Sequence, residues 1–505
     1  MIPMEPLGKP LLTSLVKPLV SSLPTAAVFS SALLASSDPT GSGSSSDSIT
    51  MTEGIGPRLR SILYMGGAMS LHFGGYEFFR NACLAIFTSS DYGFQSPAAF
   101  PLANGLVSPF SLILLWYYSQ QLDQRGPRVA LRRTTMLSVL VVLLASGSLH
   151  LCRMGNLPAY LGQAIIGLTF LFQNSYQYLL YTQQWSFVGS VLTPDEGSRW
   201  FPALAGFSSV FCSVTGSMIP YILPYSGILG LMALTSLTLL GSYLLGDHAY
   251  GMSQQHGFDP AQQLQEKQKS KTNKTTADSD NESRIVKAIS LFRRVPTLGF
   301  LFLEVIMFQS LSTILNVAFV QTLKQQIPQD MARAAFSGRF YGLVNGVSAA
   351  LQFLVLPLCL KYAEPAWIWR LMPVIPFLFC VMQVAKAESS LLLVAGAVFL
   401  CKTLDYAIRS VVSPMVYQPL DFESRFMGKE VIGVFGSRFG KSGMSLVLSG
   451  LTSLGVVNIP RLNIMSMVAA AGWFSATFSL SRIIPRKAQA QAVVEKRIQN
   501  DKKTK

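Results

Sequence analysis

Within an apolar run near residues 390–418, Lys402, Asp405 and Arg409 stand at offsets of 0, 3 and 7, on one face of a helix. Charges at the centre of a hydrocarbon layer cost about 2.5–3.5 kcal/mol each on insertion scales, so they face a partner or a wet cavity. Lys402 and Asp405 can neutralise each other, which predicts Arg409 as an unpaired cation turned to the cavity. Tyr406 falls on nearly the same face, and Tyr417 near the end of the run. Other apolar runs carry Glu77 with Arg80 as an i,i+3 pair, Glu304 with Asn316 three turns later, and Asn345 with Gln352. Gln173, Gln177 and Gln184 line a further, uncharged face. Such a set could hold an anion. Arginine forks donate two parallel hydrogen bonds to phosphate, carboxylates balance charge or take up protons, and tyrosines stack on a base. Arg80, Lys402 and Arg409 are the expected phosphate holders. The competing reading is a set of ion pairs and interhelical hydrogen bonds that lock helices together.

The run Gly436-Ser-Arg438-Phe-Gly440-Lys441-Ser-Gly443 looks superficially like a phosphate loop. A Walker loop needs four residues between its first Gly and the Gly-Lys, whereas Gly436 and Gly440 enclose three, and no strand precedes them. Two readings stand. The run opens a span and its helix N-terminus, with Arg438 and Lys441, meets an anion; or small residues pack closely and the basic side chains snorkel. The four His (72, 150, 248, 256) form no HExxH, and the six Cys form no CxxC pair. No metal, cofactor or covalent chemistry is expected, and the reading is not an enzyme.

The elements that position these residues are membrane spans. The chain has 505 residues, half of them hydrophobic and only 13% charged, against about 25% charged in a usual soluble domain. Twelve apolar stretches approach the roughly 20 residues that cross a bilayer. They lie near 62–89, 97–119, 133–151, 158–192, 200–222, 226–246, 297–321, 337–360, 367–384, 390–418, 438–457 and 463–482. The stretch 158–192 is long enough to hide a re-entrant piece, so eleven or thirteen spans stay open. Alternating the loops puts 27 Lys and Arg on one side and 6 on the other, an asymmetry that marks the cytosol-like side. Both termini then lie on that side. On a soluble protein the net charge of +15 would suggest nucleic acid. Here the basic residues sit between apolar spans and point to lipid instead.

The expected organisation is a Ser- and Ala-rich segment 1–58, a six-helix bundle 59–246, a polar linker 247–296, a second six-helix bundle 297–484 and a basic tail 485–505. The first segment reads equally as an organelle-targeting presequence or a disordered tail. The glycosylation sequons at Asn273 and Asn281 are expected to be chance matches on a cytosolic linker. The tail reads as solvated, with docking on anionic headgroups as the alternative.

A short echo supports duplication. Asp195-Glu-Gly-Ser198-Arg199-Trp200 follows the fourth span, and Asp421-Phe-Glu423-Ser424-Arg425-Phe426 follows the tenth. Parallel six-span repeats are the major-facilitator arrangement, with a pathway between the two bundles. The fold class is therefore an all-α polytopic membrane protein with twelve transmembrane helices in a 6+6 pseudo-repeat. Asp195, Arg199, Asp421, Glu423, Arg425 and Lys429, with Arg438 and Lys441, are candidate gate or loop residues.

The run 402–443 resembles the signature region of the plastid and bacterial-parasite ADP,ATP carriers. That family reads Lys-x-x-x-Tyr, then Tyr-x-Pro-Leu-Asp-x-Glu, Gly-Lys and Gly-Ser-Arg-x-Gly-Lys-Ser-Gly. Here these fall on Lys402, Tyr406, Tyr417, Pro419, Leu420, Asp421, Glu423, Gly428, Lys429 and 436–443. Arg199-Trp200-Phe201-Pro202 resembles the family's Arg-Phe-Tyr-Pro after span 4, and Phe79-Arg80-Asn81 its Arg-Asp-Thr-Lys segment. The likeness covers about residues 60–485 and is specific in 402–443. It implies a twelve-helix transporter that exchanges nucleotides, often ATP for ADP, across an organelle or cell membrane such as the plastid envelope. The family's span-1 acid and lysine appear as Asn81 and Cys83, its span-7 acid and lysine as Asn316 and Val320, and its span-10 aromatic–acid pair as Arg409 and Ser410. Two cations are lost and one is gained. The alternatives are a porter for another anionic metabolite and a transport-dead membrane receptor or scaffold.

Overall fold

The computed structural model describes residues 56–155, 158–192, 194–257, 290–386, 390–417, 419–420, 424, 428, 431–486, 488–490 and 492. The segment 1–55, most of the linker, both sequons and most of the basic tail lie outside the described residues. Asp421, Glu423, Arg425 and Lys429 do too, as do the side chains of Asp195 and Arg199. The body is helical throughout its described length.

Helix α1 (Pro57–Phe87) starts on a proline, whose fixed φ and missing N–H suit a first helical turn. Helix α2 (Ala99–Arg153) is two arms broken at Gly126, whose φ of 81° is open to glycine and strained for other residues. Helix α3 (Ala159–Val191) is one helix with no re-entrant break. Helix α4 (Pro194–Gln255) again has two arms, broken at Gly227 with φ 65°. After the linker come α5 (Pro296–Gln326) and α6 (Asp330–Ala350), which continues through a π turn, π1 (Leu351–Val355), into α7 (Leu356–Tyr362). The stretch predicted at 367–384 is two short helices, α8 (Pro365–Leu371) and α9 (Val374–Ala385). Helix α10 (Leu391–Thr403) passes through π2 (Leu404–Arg409) into α11 (Ser410–Tyr417). A third π stretch, π3 (Ile432–Phe439), leads into α12 (Gly440–Ser453). The body ends with α13 (Ile459–Ile483), capped by Asn458, whose side chain accepts from the Arg461 N–H at 3.0 Å.

The molecule is an integral multi-pass membrane protein. Among the described residues, seven helical stretches are long and apolar enough to cross a bilayer, two of them the broken helices α2 and α4. Helices α1, α3 and π3–α12 fall outside those seven. They carry His72, Glu77 and Arg80, the glutamines of α3, and the Ser- and Gly-rich start of α12, all of which lower their apolarity.

The described residues belong to one compact unit. Its two ends are fixed by cross-contacts. At one end Arg58 Nε donates to the Val191 carbonyl at 2.8 Å, and the rings of Tyr64 and His248 lie 4.7 Å apart. At the other, Arg333 Nη2 donates to the Thr88 carbonyl at 3.1 Å, and Lys324 Nζ to the Phe94 carbonyl at 3.0 Å. Between the ends, α4 and α6 pack through small residues. A Cβ on Gly216 would stand 3.0 Å from the Gly338 carbonyl oxygen and 3.1 Å from Gly342 Cα. Ser213 Oγ donates to the Gly342 carbonyl at 2.8 Å. This is the small-residue packing that lets helix backbones approach inside a membrane.

Candidate functional site

Charged and polar side chains of the first helix set (α1–α4) and the second (α5–α13) gather in three places. The first crosses between the sets. Glu77 on α1 is buried and paired to Arg80 one turn later. Its Oε1 accepts a hydrogen bond from Asn345 Nδ2 of α6 at 3.0 Å. The Arg80 guanidinium lies 3.4 Å above the Tyr341 ring and 5.5 Å from that of Tyr76. Its Nε is buried without a hydrogen-bond partner among the described residues.

The second place lies wholly within the second set. Arg409 Nη2 donates to Glu304 Oε2 at 2.9 Å, its Nε to Oε1 at 3.1 Å, and its Nη1 to Asp405 Oδ1 at 3.2 Å. Trp473 Nε1 donates to Glu304 Oε1 at 2.8 Å, and Phe308 lies under the guanidinium at 4.4 Å. This corrects the pairing predicted from the sequence. Asp405 bonds Arg409, not Lys402, and Arg409 is not an unpaired cation. Asp405 precedes Arg409 by four residues, a spacing and order that helices favour over a base three residues before an acid, and Glu304 arrives from α5 to fix the guanidinium.

The third place is basic. Among the described residues Lys402 and Lys441 make no ion pair or hydrogen bond, and they lie close enough to interact electrostatically with each other and, for Lys441, with Asp405. The Lys402 ammonium is 5.9 Å from the Tyr406 ring. Arg438 lies 3.5 Å over the Tyr178 ring of α3, and its Nη2 is buried and unpartnered among the described residues. Beside it Ser108 of α2 bonds the Arg438 carbonyl at 3.2 Å and lies 2.6 Å from Ser442 Oγ. The expectation that 436–443 opens a helix is corrected here. Val431 already has helical backbone and π3 runs on into α12, so these basic side chains issue from a continuous helix and not from a free N-terminus.

Of the remaining predicted residues, Tyr417 is buried in the apolar core. Asn316 is half-buried and makes no hydrogen bond among the described residues. Gln352 donates to the Tyr406 carbonyl at 2.6 Å. Gln184 lies between His72 at 3.2 Å and Ser242 at 3.3 Å, an interhelical bridge. Sequence reasoning missed Tyr341, Tyr178 and Trp473. Each lies on a different helix from the charge it serves, so helical spacing carries no sign of it.

The family model of the TLC ATP/ADP transporter matches residues 171–483. The chain belongs to this family. This TLC-family chain is 22% identical to ADP,ATP carrier protein 1 of Chlamydia trachomatis serovar D over 335 residues, 59% of this chain and 61% of that protein. It is 23% identical to ADP,ATP carrier protein 1 of Chlamydia muridarum, over 53% of this chain and 54% of that one. It thus spans less than two thirds of the length of these curated relatives. In fold it is similar to a bacterial homologue of the iron transporter ferroportin in an inward-facing state, with TM-score 0.59 and 12% identity over 84% of this chain and 98% of that one. It is also similar to the nucleoside transporter NupG, with TM-score 0.55 and 10% identity over 85% and 100%. The fold of this TLC-family chain is that of major-facilitator-like transporters.

Proposed function

We propose that this chain is a secondary transporter that moves nucleotides, by ATP:ADP exchange or related uptake, through alternating access. The observation that carries the reading is a group of cationic donors without a hydrogen-bond acceptor among the described residues: the ammonium groups of Lys402 and Lys441, Arg80 Nε and Arg438 Nη2. Buried donors without acceptors are costly, and a phosphate chain supplies the acceptors. In this reading Arg80, Lys402 and Lys441 hold phosphates, and Tyr406 offers a face to the base. Glu77, Glu304 and Asp405 balance charge, and Arg409 couples α5 to π2. Asn345, Asn316 and Tyr417 complete the site, and Arg438 guards its approach beside Tyr178.

The helices fit twelve spans when α2 is split at Gly126 and α4 at Gly227, giving six before the linker and six after it. The bundles 59–246 and 297–484 would then rock about the central donors. Asp195, Arg199, Asp421, Glu423, Arg425 and Lys429 belong to the gate on the linker side in this scheme. Both termini and the linker face the cytosol-like compartment, and the membrane is that of an organelle such as a plastid.

The test is uptake of labelled ATP, ADP, GTP and sugar phosphates by vesicles reconstituted with the full chain. Nucleotide uptake is expected, reduced at least about tenfold by Lys402→Ala or Lys441→Ala, the cost of removing one charge-assisted contact. Sugar-phosphate uptake without nucleotide uptake would assign another anionic cargo. Vesicles that move no solute would point to the receptor reading.

A further inference from the structure

We propose that the turn between the two arms of α2 is a binding site for the phosphate headgroup of an anionic membrane phospholipid. A cavity of about 360 Å³ opens there, lined by Arg125, Gly126, Pro127, Arg128, Arg132 and Gln254. Its lining comes from α2 and α4 alone, so it is separate from the cationic donors of the candidate site.

Three guanidinium groups line this cavity, and two of them, Arg128 and Arg132, reach one carboxylate, that of Asp247 on α4. Arg128 grips it in a fork, Nε to Oδ1 at 2.8 Å and Nη2 to Oδ2 at 3.0 Å, while its Nη1 donates to Gln254 Oε1 at 2.6 Å. Arg132 reaches the same carboxylate at 3.7 Å with its side chain 48% exposed. Arg125 is exposed and has no partner among the described residues. Asp123, two residues before it, is also exposed and makes no ion pair among the described residues. One carboxylate therefore holds Arg128 in place and leaves about two positive charges unmatched at the mouth. Planar arginine donors of this kind suit phosphate oxygens.

The surface below the cavity selects lipid over a soluble anion. Met136, Leu140 and Leu143 follow Arg132 by 4, 8 and 11 residues, close to its helical face, and all three are exposed. On the second arm of α4, Leu237 and Leu244 are exposed a heptad apart, and Tyr243 beside them lies 5.8 Å from the Arg132 guanidinium. A basic rim over an apolar stripe matches a phosphate headgroup over acyl chains, and basic pockets between membrane helices are known to recruit such headgroups. The glycine at 126 matters to the shape. Nothing lies within 4 Å of where its Cβ would stand, so its φ of 81° and not crowding demands glycine, and the turn stays tight around an open mouth.

The test uses the full chain purified in detergent. Binding of phosphatidylglycerol and of phosphatidylcholine with the same acyl chains is compared by native mass spectrometry. Phosphatidylglycerol is expected to bind at least about tenfold more tightly. The double variant Arg125→Gln/Arg132→Gln is expected to bring that preference close to parity, at roughly one Lys or Arg contact per factor of five. Arg128 stays intact to preserve its fork on Asp247. Arg125→Lys/Arg132→Lys, which keeps the charge, is expected to retain most of the preference, and this separates loss of charge from loss of fold. Equal binding of the two lipids by the unmodified chain, or an undiminished preference in the glutamine pair, overturns the proposal. Displacement of phosphatidylglycerol by millimolar inorganic phosphate overturns it too, by assigning the cavity to a soluble anion.

Discussion

Arg80 and Arg409 are both buried arginines beside carboxylates, yet their surroundings differ in two respects. Arg409 has Nε, Nη1 and Nη2 all donating to carboxylate oxygens, with every partner in the second helix set. Arg80 has one carboxylate, an aromatic face from the opposite set, and a buried Nε without a partner among the described residues. A saturated cation inside one rigid set acts as a lock. An unsaturated one at the junction of two sets can accept a further anion and can respond when the sets move. Charge count alone does not separate the two; the number of matched donors and the origin of the partners do.

Glu304→Gln breaks the comparison most severely. It leaves Arg409 buried with Asp405 alone, and removing one partner of a buried pair costs about 3–5 kcal/mol. Denaturant unfolding in detergent would measure this, and a loss under about 1 kcal/mol would sink the idea that this cluster is a lock. Glu77→Gln is expected to cost less stability, about 2 kcal/mol, since Tyr341 still covers the guanidinium. Its larger effect should fall on nucleotide uptake by reconstituted vesicles, at least about tenfold. Uptake that tracks stability in both variants would erase the distinction. Trp473→Phe removes one hydrogen bond to the Glu304 carboxylate and should cost about 1.5–2 kcal/mol in the same unfolding assay, with uptake per folded molecule unchanged. Smallest is Tyr341→Leu, about 1 kcal/mol from the lost cation–π contact. If Arg80 serves the substrate, the apparent KM of uptake in this variant should shift while kcat holds.

Much of the fold was legible. Apolar runs predicted helices, seven of which are long and apolar enough to cross a bilayer among the described residues, and the pair Glu77–Arg80 could be read because both residues lie one turn apart on α1. The partner of Asp405 could not. Spacing on one helix allows both Lys402 and Arg409, and the choice is made by Glu304, which reaches the Arg409 guanidinium from α5 and holds it beside Asp405. The start of α12 differs from its sequence reading for another reason. Gly436 and Gly440 looked like the opening of a helix, yet π3 carries the backbone straight through them. Asp195, Arg199, Asp421, Glu423, Arg425 and Lys429 remain sequence expectations, since their side chains lie outside the described residues.

Local order along the chain determined the apolar stretches and the placing of charges inside them, because each depends on neighbours within a turn or two. Which cation is matched and which stays open was decided only by the tertiary structure. Glu304, Trp473, Asn345 and Tyr341 reach their partners from other helices, and a hydrogen bond between helices depends on packing distance and rotation, quantities that no periodicity in one segment contains.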